Sequence, residues 1–273
     1  MNIRVPKKVA ERLLKQVPAF QKILQTAKDR DVNESDTVTI VTDLLSDIFG
    51  FDKYSEITRE HAVRRTFCDL AVDVGGETKF LMEVKAIGLT LKENHLRQAV
   101  NYGANHGVQW VVLTNGVEWE VYRLRFERPI EHELTCSFSF LDLNPRKKED
   151  QAKLFILCRE GLAKDAIEEF HTHVEIVNRF FLGAVIQSDP VLAVIRRELR
   201  RLSPETKISQ AEISGLLSDV LTRDVMEGEQ ADRARARIQR ASGKTLRKRA
   251  PRVVRDVGTP PPPREAETDQ GNL

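Results

Sequence analysis

The segment 67-FCDLAVDVGGETKFLMEVKAIG-88 constrains the fold most. Apolar and polar residues alternate on both sides of Gly75-Gly76, the pattern of two half-buried strands joined at a turn. Leu70, Val72 and Val74 form the apolar face of the first strand, and Phe80, Met82 and Val84 that of the second. For both sets to share one face, Leu70 must oppose Met82 and Val72 must oppose Phe80. A slip of one residue would send one set to the other side, so the pattern predicts a three-residue loop over 75–77. In that register Asp69 faces Glu83, and Lys85 projects from the same face because side chains two apart share a side. Two carboxylates and an ammonium then converge on a largely apolar hairpin. Charges are seldom buried unless paired or bound to metal.

The rest of the chain surrounds this hairpin with helices. Residues 5–28 carry Leu13, Leu14, Val17, Phe20 and Ile23 at helical spacing. A second helix is predicted over 33–52: Asn33 suits the N-cap, Glu34 and Asp36 suit the positive first turn, and Gly50 suits the stop. Residues 91–105 return to helical period. Residues 108–114 and 117–124 form a second hairpin pattern around Asn115-Gly116, and 136–143 can add a strand. Beyond Pro145 helical patterns dominate. Three divisions follow: an α/β domain over 1–147, a helical segment over 148–228, and a basic, proline-containing, disordered tail over 229–273.

A hydrophobic content of 41% supports a sizeable core, and a net charge of +2 selects no partner through the whole-molecule field. Three cysteines without C-x-x-C spacing point to a reducing, cytoplasmic setting, and to neither a disulfide framework nor a zinc ribbon. No secretory leader and no apolar run of membrane-spanning length is visible, so no membrane partner is expected. His171-Thr-His173 is expected on a helix surface, and Trp110 and Trp119 in hairpin packing. Arg59, Arg64 and Arg65 either hold phosphate or belong to a solvated loop.

Two carboxylates in close approach repel each other, and a divalent cation removes that repulsion. Mg²⁺ commonly uses one or two carboxylates with waters and phosphate oxygens, with Mn²⁺ as the alternative. A nearby ammonium can orient or deprotonate water, or balance charge on a phosphoryl transition state. The trio therefore suggests metal-assisted phosphodiester hydrolysis. The plainer alternative is a cross-strand ion pair on a solvated sheet face, worth little energetically.

The ordered set Asp69, Glu83-Val84-Lys85 and 98-QAVNY-102 resembles the D…E-x-K…Q-x-x-x-Y series of the PD-(D/E)XK nuclease superfamily. More narrowly it resembles the N-terminal nuclease domain of type I restriction enzyme R subunits and their stand-alone relatives. Glu34 matches the glutamate that opens the helix before the hairpin, and 114-TNGVEW-119 matches the T-N-G-x-x-W strand pair of that branch. The likeness spans about residues 33–125. Cys68 stands where the family carries proline before the motif aspartate.

The resemblance implies an αβββαβ core of restriction-endonuclease-like mixed sheet flanked by helices, Mg²⁺ dependence and DNA cleavage in restriction or defence. Asp69 and Glu83 would bind the metal, the Val84 carbonyl would complete the protein ligands, and Lys85 would act on the attacking water. Gln98 and Tyr102 would lie beside the site, positioning Lys85 or touching DNA phosphate. Glu34 would order the site or add a metal ligand, its alternative being compensation of the helix dipole. These residues contain no Walker A pattern, so no ATP site or motor is expected here. An alternative function is a catalytically silent DNA-binding or regulatory module on the same fold. The tail arginines either add non-specific DNA affinity or only solubilise. The apolar stripe around Val174–Val185 either packs internally or forms a symmetric homodimer through residues 148–228.

Overall fold

The computed structural model describes residues 3–63, 66–127, 129–221 and 226–249. Two compact units divide the chain, residues 1–178 and 179–273.

The first unit opens with helices α1 (Lys7–Asp29) and α2 (Glu34–Asp47). Asn33 caps α2 by accepting from the Asp36 N–H. Strands β1 (Ile57–Val63), β2 (Thr66–Val74) and β3 (Glu77–Val84) precede helix α3 (Glu93–His106), which leads to β4 (Trp110–Thr114), β5 (Glu118–Arg125) and β6 (Glu131–Ser139). The strands lie in sequential order in one sheet. Every neighbouring pair is antiparallel except β3–β4, which α3 crosses over to make parallel. The α2-β1-β2-β3-α3-β4 stretch is the expected αβββαβ core, and the mixed α/β class is as the sequence implied.

The two sheet faces have separate cores. Leu70, Val72, Phe80, Met82 and Val84 pack with α1 and α2. Ala71, Leu81, Val111 and Leu113 pack with Leu96, Ala99 and Tyr102 of α3. The alternating apolar pattern of the hairpin therefore serves the first core, and the intervening small or apolar residues serve the second.

The hairpin closes differently from the expected three-residue loop. Near the site the register is the expected one, Leu70 opposite Met82 and Val72 opposite Phe80. It then shifts, so that Asp73 opposes Thr78 and Val74 opposes Glu77. The loop is Gly75-Gly76 alone, with φ of 65° and 83°, the left-handed pair of a tight two-residue turn. A bulge between Val72 and Asp73 absorbs the odd residue, reconciling a two-residue turn with a shared apolar face.

The second hairpin also departs from a tight Asn-Gly turn. Thr114 pairs with Trp119, leaving 115–118 as a four-residue loop. Side chains supply the closure: Asn115 Oδ1 accepts from the Val117 and Glu118 N–H groups at 3.0 and 2.7 Å, and Thr114 Oγ1 donates to Glu118 O. Trp119 Nε1 donates to Gly116 O at 2.9 Å.

The first unit extends beyond the composition change at 148. Helices α4 (Lys148–Phe155), α5 (Arg159–Leu162) and α6 (Ala166–Ile176) belong to it, and Leu154–Cys158, Leu162, Ile167 and Phe170 join the first core. Arg12 of α1 reaches the same region, donating to both oxygens of Glu160 at 2.7 and 2.8 Å and to Ile48 O at 2.8 Å. The bond to Glu160 outweighs burial and raises the guanidinium pKa.

The second unit contains α7 (Arg179–Ile186), α8 (Asp189–Leu202), α9 (Gln210–Val220) and α10 (Glu229–Arg249). Residues 229–249 are thus helical, where the sequence suggested a tail without structure. The small residues Ala231 and Ala234 are buried, and α10 packs on α7. The rest of the expected tail, 250–273, lies outside the described residues. No helix among the described residues is long and apolar enough to cross a membrane.

Candidate active site

The convergence of Asp69, Glu83 and Lys85 follows from the strand register. Leu70 opposite Met82 leaves Asp69 beside Glu83, one step toward the end of β3. Asp69 Oδ2 accepts the Val84 N–H at 2.7 Å, which pins the half-buried carboxylate to the end of that strand. Lys85 follows the last strand residue, and its N–H donates to Thr114 O at 2.8 Å, extending the pairing with β4. The site therefore lies at the carboxyl end of the parallel pair β3–β4, where open sheets present their functional groups.

Lys85 Nζ lies 2.7 Å from Glu83 Oε1 and 3.4 Å from Glu34 Oε1. Glu34, the first residue of α2, therefore reaches the site as well as the positive end of its own helix. Glu83 is 2% exposed, and its second oxygen, Oε2, is buried with no hydrogen-bond partner. Such an atom carries a desolvation penalty that no hydrogen bond from the described residues offsets. Burial, with Asp69 and Glu34 adding repulsion against the pull of Lys85, pushes the Glu83 carboxyl up to about 7. Burial pulls Lys85 down, but the hydrogen bond and charge of Glu83, with Asp69 and Glu34, outweigh it, and its pKa lies above the ordinary lysine value.

This donor chemistry suits a hard divalent cation. The buried Glu83 Oε2, without a hydrogen-bond partner among the described residues and close to a second carboxylate, is an acceptor that such a cation can satisfy. Among the described residues no group of three or more His, Cys, Asp or Glu side chains is arranged to hold a metal ion. Protein ligands here would be two carboxylates and a backbone carbonyl.

Gln98 and Tyr102 sit differently from the trio. Gln98 is exposed on α3. Tyr102 is 1% exposed, its ring centroid 4.4 Å from that of His106, and it borders a cavity of about 320 Å³ with Thr78, Leu81 and Val108. Burial, with Cys68 and Asp73 nearby, raises its hydroxyl pKa. Cys68, in the place of the family's proline, is fully buried with Sγ 2.8 Å from Met82 O. Burial, then Glu83 and Asp69, push its thiol up to about 12, so it is a packing residue and not a nucleophile. All three cysteines are free and buried.

Two roles escape a reading of the sequence. Asn115 is 5% exposed, and its Nδ2 donates to Leu89 O at 2.8 Å, tying the loop after Lys85 to the turn after β4. The signal was the T-N-G-x-x-W string, but a hairpin reading assigns Asn115 to the turn alone. Gly116, at φ 85°, has Leu24 Cδ2 3.3 Å from where a Cβ would sit, so α1 packs directly over this turn. His171 is buried at 2% exposure, contrary to its expected surface position, because α6 packs against β6 and Arg123 Nη1 lies 3.2 Å from its Nδ1. Trp110 and Trp119 are buried hairpin residues, as expected. Arg59 donates to Thr39 and Thr42 hydroxyls at 3.3 Å, and Arg64 and Arg65 lie outside the described residues.

No curated protein and no solved structure matches the chain. A family model does match, over residues 45–135, a span that carries Asp69, Glu83, Lys85, Gln98, Tyr102 and the T-N-G-x-x-W string. Over that span the nuclease-like N-terminal domain is similar to the type I restriction enzyme R protein N terminus, the family that this model describes.

Proposed function

We propose that this protein is a metal-dependent DNA endonuclease of restriction type, using Mg²⁺, with Mn²⁺ as a substitute. The observation that carries the reading is the orphaned, buried Oε2 of Glu83 between Asp69 and Lys85. A purely structural ion pair would leave no acceptor unsatisfied at the centre of the cluster.

Asp69, Glu83 and the Val84 carbonyl would hold the ion. When bound, it would supply Lewis acidity toward a phosphoryl oxygen and a more acidic water. The Val84 N–H fixes the Asp69 carboxylate so that it need not reorganise on binding. Lys85, with a raised pKa, acts as a cation: it orients the attacking water and offsets charge growing on the phosphoryl group. Glu34 steers the ammonium from its far side. Gln98, exposed on α3, would contact a DNA phosphate, and the buried Tyr102 would act through packing.

A single site handles one strand at a time, so a symmetric homodimer through residues 148–228 would give double-strand breaks. Its support is the exposed Leu182, Leu216 and Val220. Light scattering with and without DNA tests the mass. Relaxation of supercoiled plasmid in Mg²⁺, abolished by EDTA, tests the activity. A protein that binds DNA but never nicks it would be the silent module instead.

A further inference from the structure

We propose that the protein's grip on double-stranded DNA lies in the second unit, on the arginine face of α8, through contacts to backbone phosphates. This rests on the nuclease reading above and assigns its DNA-binding surface. Charge is divided unevenly along the chain. Residues 1–178 carry 25 basic against 28 acidic side chains. Residues 179–228, which include α8, carry 7 against 7, and residues 229–273 carry 11 against 6. What singles out α8 is therefore the local clustering of its arginines and not the net charge of its unit. A net-negative catalytic unit gains nothing from long-range attraction to a polyanion, so affinity must come from a locally basic surface.

Helix α8 supplies one. Arg196, Arg197, Arg200 and Arg201 occupy neighbouring i, i+4 rows on one side of a 14-residue helix. Dipole compensation accounts for Arg200 and Arg201 in the last turn, but not for Arg196 and Arg197. Among the described residues, Glu198 is the acid that Arg197 and Arg201 meet, at 3.4 and 3.2 Å. Both contacts are exposed and so worth little. Three arginines of α10 are placed differently. Arg233 and Arg235 pair with Glu229 and Asp232 on their own helix, and Arg237 lies over the Phe181 ring.

A basic amphipathic helix can also lie on an anionic membrane. Membrane binding needs a free apolar face. Here Leu192 is buried and α8 packs on α9, with Gln210 Nε2 bonded to Asp189 O, but Val194, Leu199 and Leu202 of the same helix are exposed, so vesicle binding is measured beside DNA binding in the test below. Phosphate binding needs only the arginine face.

The test is fluorescence anisotropy of a labelled 30-base-pair duplex in EDTA, across a salt series, with the full-length chain. Substituting Arg196, Arg197, Arg200 and Arg201 by Gln should weaken binding at least about tenfold near 0.1 M salt and flatten the slope of log K against log salt by about 2 to 4. Glu198→Gln, which removes the local acid, should tighten binding. The four-fold Lys variant should keep most of the slope. An unchanged slope in the Gln variant, with Glu198→Gln neutral, would overturn the proposal. So would a Gln variant that loses binding to phosphatidylserine vesicles while keeping its affinity for DNA. The assay contains no metal, so failure of the nuclease reading would show separately, as wild-type protein that binds DNA without cutting it.

Discussion

Glu83→Gln should remove a pH-dependent weakness that the metal-free protein carries. The carboxyl is buried, and its folded pKa of about 7 stands above the ordinary 4.5. A raised acid pKa means that the folded state holds the proton more tightly than the unfolded one. Its contribution to stability is complete below about pH 4.5 and is lost as pH rises through about 7. The full gap corresponds to about 3 kcal/mol, of which about 2 to 3 kcal/mol falls between pH 5 and 8. An amide at position 83 keeps the shape and does not titrate in this range. Wild-type stability relative to the Gln variant should therefore fall by about that amount across this interval. Urea unfolding in EDTA measures it. Both tryptophans, Trp110 and Trp119, lie in the first unit, so their fluorescence reports the unit that holds the site. Adding Mg²⁺ at pH 8 should restore the wild type by about 2.7 kcal/mol at one hundred times Kd and leave the variant nearly unmoved. A difference that stays flat from pH 5 to 8 would refute the buried, charge-repelled state assigned to Glu83.

Other outcomes follow from named contacts. Arg12→Ala should cost about 2 to 3 kcal/mol in the first unit, because Ile48 O and the Glu160 carboxylate lose their donor. Chemical denaturation reads this directly, and a loss under about 0.5 kcal/mol would show the network to be ornamental. Gly116→Ala should cost about 1 to 2 kcal/mol for the left-handed backbone, before any displacement of Leu24. An unchanged midpoint would argue against that turn geometry. His171 and Arg125 hold the Glu133 carboxylate down at about 2. A depressed acid stabilises above its ordinary value of 4.5 and loses that contribution as pH falls toward 2. The stability advantage of wild type over Glu133→Gln should shrink over this window, and an advantage that grew would contradict the sign.

Much of this site is legible because strand period is rigid. Apolar alternation in 67–85 places Asp69, Glu83 and Lys85 on one side, and the register next to the site is the expected one. The loop is not legible in the same way. Gly75-Gly76 prefers a two-residue turn while the apolar faces demand an odd register, and only the bulge between Val72 and Asp73 satisfies both. Pattern does not reveal where such a bulge falls. His171 reads as a surface residue because its helix carries Glu168 and Glu169 nearby. Its burial comes from β5 and β6, whose placement no local window contains. Likewise the charged α10 looks unstructured by composition, but Ala231 and Ala234 give it a narrow face to pack on α7.

The central claim is metal-dependent phosphodiester cleavage by Asp69, Glu83 and Lys85. The most direct measurement is nicking of supercoiled plasmid by wild type and Lys85→Ala, in Mg²⁺ and in EDTA, with metal affinity measured by calorimetry on the same samples. Wild type should nick only with Mg²⁺. Lys85→Ala should bind the ion yet lose at least about two orders of magnitude in rate, as expected when a preorganised charge at the reacting group is removed. Wild-type cleavage rates in a folded Lys85→Ala protein, or cleavage that survives EDTA, would contradict the account.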